Sequence, residues 1–249
     1  MYFCIFKQYF IKKDFTTMKI HPDTLSFFDE LHENNNRDWF AENKSRWTDI
    51  QHVFLDFTQQ LINIMTPLDP ALGNLQPKQC VYRIYRDLRF SADKRPYKTH
   101  IACFLPAGGN RTQCVPGYYL QIGQGDYGLK GGCSLGGGIF MPSPKQLAAI
   151  RQEIYYCPDE FKGIMQEKAY RHYFGNEFYT SRKLTRPPKG YPADWPDIEL
   201  LKYHDYCTMY EMPYDMILTE DFFDEVVKVW KATVPLNRFI ERALTDVEA

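Results

Sequence analysis

The chain has 249 residues with 30 basic and 31 acidic side chains, a formal charge of −1, which argues against a surface given over entirely to nucleic acid or to anionic membrane. Hydrophobic residues make up 44% and charged residues 24%, enough for a real core in one large domain or two small ones. Seven cysteines (Cys4, Cys80, Cys103, Cys114, Cys133, Cys157 and Cys207) are dispersed, without a C-x-x-C pair or a histidine spaced to complete a zinc set. That pattern fits reduced, structural thiols in a cytoplasmic protein, and it points to no metal.

Residues 1–17 are apolar and basic, but they lack a cleavage site and a full apolar h-region. No run approaches the roughly 20 apolar residues that span a bilayer. Met18 opens a more regular sequence, so residues 1–17 read as an N-terminal extension, an over-called start, ahead of one domain over 18–249. Asp23 or Thr24 caps a short helix with Leu25, Phe28 and Leu31 on one face. The Asn34-Asn35-Asn36 run breaks it, and Asn36 caps a single longer helix reaching about Met65. Its apolar positions Phe40, Trp47, Phe54, Phe57, Leu61 and Ile64 recur at helical spacing, with Trp39 and Trp47 as core anchors.

After a Pro67–Gly73 loop, residues 80–86 read as a strand running on to Phe90. Its parity puts Tyr82, Ile84, Leu88 and Phe90 on one face with Arg86, and Arg83, Tyr85, Asp87 and Arg89 on the other. A guanidinium on the apolar face needs a carboxylate or an anionic ligand to be tolerated there. Strands follow at 100–105 and 118–122, then a further hairpin in the glycine-rich stretch 125–138, with Leu129 and Leu135 as its apolar pins. Ser143-Pro144 starts a helix carrying Leu147, Ile150, Ile154 and Tyr155 inward, and Pro158 restarts a shorter one. Residues 180–196 form a basic, proline-rich loop, and Thr219 caps a final helical region that breaks at Pro235. Strands in series without intervening helices point to an α+β domain, a mainly antiparallel sheet with helices packed against it.

The chemistry concentrates between Arg83 and His100. Six cations there (Arg83, Arg86, Arg89, Lys94, Arg95, Lys98) face two acids, Asp87 and Asp93, so the stretch is +4 in a chain of −1. Arg83, Arg86, Arg89, Lys94 and Lys98 are expected to hold a small anionic, phosphate-bearing ligand, arginine by bidentate capture and lysine as a point charge. Tyr85 would stack on a base or sugar, and the Lys183–Lys189 segment would close over the site. His100, Asp87 and Tyr97 are weak catalytic candidates, for a phosphoester hydrolase or phosphotransferase using the same cleft. No Walker glycine loop, Gly-x-Ser-x-Gly or paired-carboxylate metal motif accompanies them, and no cofactor is indicated. Basic residues interleaved with Tyr and Phe also suit a single-stranded nucleic-acid module, a less favoured partner for an acidic remainder. The structural alternative is a salt-bridge network without ligand, Arg86–Asp87 and Arg89–Asp93 pairing with each other or with Asp38 and Glu42.

Two motifs carry a resemblance: Asn36-Arg37-Asp38-Trp39-Phe40 with Asn43-Lys44, then Arg83-x-x-Arg86-Asp87-x-Arg89-Phe90 with Asp93-Lys94 and Tyr97-Lys98-Thr99-His100. With Gly137-Gly138 ahead of Pro142 and Arg186-Pro187-Pro188-Lys189-Gly190, the sequence resembles the bacterial family catalogued as domain of unknown function 2461. The resemblance covers roughly Ile20 to the C-terminal helix. It implies no assigned activity, so function has to be argued from the residues.

Overall fold

The computed structural model describes residues 18–89, 93–109, 114–124, 132–179, 182–245 and 247; the N-terminal extension, Phe90 and Leu129 lie outside them. Helix α1 (Thr24–Glu33) starts at Asp23, whose carboxylate is taken up by Ser26 and Arg46 rather than by the helix N-terminus. The single long helix expected from Asn36 is two. Asn36 caps α2 (Arg37–Glu42), accepting from the Trp39 amide at 2.9 Å, and a break at Asn43 precedes α3 (Lys44–Met65). Asn43 makes the break by donating its side-chain amide to Trp39 O while its own backbone N–H bonds the same carbonyl.

Residues 80–86 are not a regular strand. Pro77–Cys80 form a helical turn, α4, in which Gln76 and Gln79 cap each other and Pro77 takes the first position. The chain beyond is extended and pairs at isolated bridges, Val81 to Cys103 on the sheet edge and Tyr85 to Tyr97 just ahead of it. The expected parity holds where described: Ile84 is buried, Arg86 and Leu88 are half-buried, and Arg83, Tyr85, Asp87 and Arg89 are exposed.

Strands β1 (His100–Pro106), β2 (Gly117–Gly123), β3 (Gly132–Ile139) and β4 (Tyr206–Met212) form one antiparallel sheet in that order. The first two match the sequence reading; β3 is a single strand in the stretch read as a further hairpin, whose earlier part lies outside the described residues, and β4 was not foreseen. One face carries Ile101, Cys103, Leu105, Tyr118, Leu120, Ile122, Cys133 and Leu135 into a core shared with α1, α3 and the start of the last helix. The helices α5 (Pro144–Tyr156), α6 (Pro158–Gln166) and α7 (Lys168–Phe174) build a second core around Ile139 and Tyr206. Helix α8 (Phe222–Leu244) serves both cores, with Asp221 in the N-cap position two residues after the Thr219 expected there, and continues unbroken through Pro235.

Contacts on either side of Pro235 offset its missing N–H. Trp230 donates to Tyr119 O at 3.0 Å; Asn237 accepts from the Gly138 amide at 2.7 Å and donates to Gly117 O. Between them Thr233 presses on Gly137, where a Cβ would lie 2.4 Å from the Thr233 hydroxyl. The helix thus packs close enough to bond the sheet backbone directly. The result is an α+β domain with its helices packed against the sheet. No helix among the described residues is long and apolar enough to cross a membrane.

Candidate functional site

Strand alternation turns His100, Phe104, Tyr119, Gln121, Met209 and Glu211 to the face away from α8. There the structure has a cavity of about 460 Å³, lined by His100, Phe104, Tyr119, Gln121 and Met209, with Gly117 and Gly138 in its wall. Lys98 and Tyr82 close one end of it. A second, more open depression of about 540 Å³ adjoins it, lined by Lys78, Arg83, Val81 and Gln51 and again by Lys98 and Tyr82. The Lys98 ammonium lies over the Tyr82 ring, 5.1 Å from its centroid, at the junction of the two. None of the described residues lining either space is acidic.

Gln121 is fixed by its neighbours, accepting from the Tyr119 hydroxyl at 2.7 Å and donating to Gln124 O at 3.1 Å. The lip opposite Lys98 is Phe140-Met141. Met141 holds φ +55°, a conformation non-glycine residues seldom adopt, fixed by its amide donating to the buried Asp205 carboxylate at 2.8 Å. Both side chains are turned out at the cavity mouth, 47% and 58% exposed.

The residues expected to act together fall into two places. Lys98 and His100 line the first cavity, and Arg83 joins Lys98 in the second. Arg86, Arg89, Lys94 and Tyr85 lie along the extended edge and line neither. Arg86 pairs with Asp93, which also takes Arg95, while Arg89 chelates Asp87, the reverse of the pairing considered from sequence. The guanidinium of Arg95, then that of Arg86, holds the Asp93 carboxyl well below the ordinary range, and Arg89 lowers Asp87 to about 2. Lys94 donates to Leu88 O at 3.1 Å. Arg83 is exposed and makes no ion pair among the described residues.

Tyr97 packs as a core residue. Its ring stacks on Phe40 at 4.0 Å, and Asn35 brackets its backbone, donating to the carbonyl at 3.0 Å and accepting from the amide at 3.1 Å. Burial raises its phenol above the ordinary value. The two signature motifs therefore meet here, α2 against the segment that leads into β1 at His100. Lys183 lies against Glu199 and Tyr203, beside the second core, and none of the described residues 182–189 lines the cavity.

Sequence reasoning missed Lys78, Phe104, Tyr119, Gln121, Tyr179 and Met209 as site residues. Only the pairing of β1 with β2 and the placing of β4 bring them together, and Lys78 joins Arg83 through a helical turn that ends where the strand was expected to begin. No curated protein and no solved structure matches the sequence. Residues 23–239 match the family described as conserved hypothetical protein DUF2461, and the chain belongs to that family.

Proposed function

We propose that the two adjoining cavities bind a small anionic, phosphate-bearing ligand. The carrying observation is their lining: Lys98 and His100 in one and Lys78, Arg83 and Lys98 in the other, with no carboxylate among the described lining residues. Lysine offers a point charge and Arg83 a bidentate fork, so a phosphate seated near Lys98 meets both kinds of donor. Arg86 and Arg95 serve the ligand less directly, because Asp93 already occupies them. The volume of about 460 Å³ suits a metabolite-sized molecule.

His100 is buried in the same cavity as Lys98 and is the group placed to move a proton at a bound phosphoester. That position favours the phosphoester hydrolase or phosphotransferase reading as the second one. Thermal-shift titration of wild type, Lys98→Ala and Arg83→Ala with inorganic phosphate, sugar phosphates, dicarboxylates and a short oligonucleotide, at two salt concentrations, tests both. A phosphate compound at 100 times its dissociation constant stabilises wild type by about 2.7 kcal/mol. That shift should shrink in both variants. No shift in wild type, or equal shifts in all three proteins, refutes the site. A steep salt dependence confined to the oligonucleotide would replace the metabolite with a nucleic acid. His100→Ala that binds but no longer turns over a phosphoester would support the enzyme reading.

A further inference from the structure

We propose that the ligand of this site is a planar aromatic group carrying a phosphate, the chemistry of a nucleoside monophosphate, with its ring in the aromatic-lined cavity and its phosphate at the Lys98–Arg83 junction. The inference rests on the anion reading above and adds the other half of the molecule.

The first cavity, behind Phe104 and Tyr119, is built for a flat apolar guest. Five aromatic rings line it, those of Tyr82, Phe104, Tyr119, Phe140 and Tyr179. Its wall includes the paired glycines Gly117 and Gly138, opposite each other on β2 and β3, so two neighbouring strands offer bare backbone there. The Phe104 ring leans over Gly117: a Cβ at that glycine would lie 2.7 Å from it. Glycine is what leaves room for that ring beside the strand, since any side chain there would meet it and the Leu105 carbonyl. At the far side Phe140 and Tyr179 sit with ring centroids 6.4 Å apart. The strained Met141 backbone holds Phe140 and Met141 outward at the mouth, where they would cover a seated ring.

Polar groups are few and placed for an edge rather than a face. Gln121 is locked by Tyr119 and Gln124, so its amide keeps one orientation towards a heteroaromatic rim. Among the described lining residues, the lysines and the arginine belong to the end shared with the second depression: Lys98, Lys78 and Arg83. An aliphatic acid would satisfy the charge but leave the rings unstacked, whereas every nucleobase presents a π-face to them.

Calorimetric titration with adenosine 5′-monophosphate, ribose 5-phosphate, decanoate and inorganic phosphate tests the assignment on wild type, Phe104→Leu and Arg83→Ala. Phe104→Leu removes the ring but leaves a branched apolar side chain at a half-buried position, so the fold is preserved. Adenosine 5′-monophosphate should bind at least about tenfold tighter than ribose 5-phosphate, and Phe104→Leu should erase that ratio while leaving ribose 5-phosphate unchanged. Arg83→Ala should weaken both phosphates together. If ribose 5-phosphate or decanoate binds as tightly as the nucleotide, or Phe104→Leu has no effect, the aromatic half is overturned and the anion site stands. If no anion binds wild type, both proposals fall.

Discussion

Glu241 on α8 should make this protein less stable as the pH rises through neutrality. One of its carboxylate oxygens is buried without a hydrogen-bond partner, and Asp69, itself buried, is its nearest charged influence of like sign. Asp69 accepts from the Tyr118 hydroxyl at 2.6 Å, and the neighbouring Arg238 commits a guanidinium nitrogen to Leu68 O at 2.6 Å. Desolvation first, and then the Asp69 charge, push the Glu241 carboxyl up from its ordinary value to about 7. Because the folded value lies above the unfolded one, the native state holds the extra proton between about pH 4.5 and 7, and stability falls as pH rises through that window. A shift of that size corresponds to about 3 kcal/mol at most, and partial exposure reduces it to about 2. Glu241→Gln removes the charge and keeps the shape. It should therefore be about 2 kcal/mol more stable than wild type at pH 8.5, some 4–8 °C in melting temperature, and indistinguishable from it at pH 4.5. Urea denaturation at the two pH values measures this difference with other titrations cancelled. A Glu241→Gln protein no more stable than wild type at pH 8.5 would refute the reasoning.

Three other outcomes follow from the same packing. Asn237→Ala should cost about 2–4 kcal/mol in urea denaturation, since it strands the buried Gly138 amide and Gly117 carbonyl that the side chain serves. Gly137→Ala should destabilise by about 1–3 kcal/mol, because the new methyl meets Thr233 and α8 must move off β3. Arg46 holds Asp23 by two hydrogen bonds and lowers its carboxyl to about 2. A depressed carboxylate contributes stability above its unfolded value and loses it as pH falls from about 4 towards 2. An acid titration followed by circular dichroism should show Arg46→Ala losing about 1–2 kcal/mol at pH 6 and almost nothing at pH 2.

The sequence by itself determined most of the secondary structure and the chemical character of one segment. Helical spacing placed Leu25, Phe28 and Leu31 inward on α1, and Phe54, Phe57 and Leu61 inward on α3, because periodicity reports burial whatever the partner is. Ser143-Pro144 and Pro158 marked helix starts correctly, since capping is chemistry within one turn of chain. Strand parity foresaw the half-buried Arg86 and its need for a carboxylate, and local charge density singled out Arg83–His100.

Tertiary structure decided the rest. Asn43 splits a helix that periodicity alone would continue, and Pro235 does not break one that local rules would end, because Trp230 and Asn237 bond the sheet backbone on either side. It also divided the cations. Asp93 and Asp87 occupy Arg86, Arg95 and Arg89, while Lys98 and Arg83 join Lys78 around two adjoining spaces. Which acid a guanidinium meets depends on a few ångströms of backbone course. Which rings surround Lys98 depends on strands as distant in sequence as those of Cys133 and Met212 pairing in register, and no local pattern in the chain encodes either.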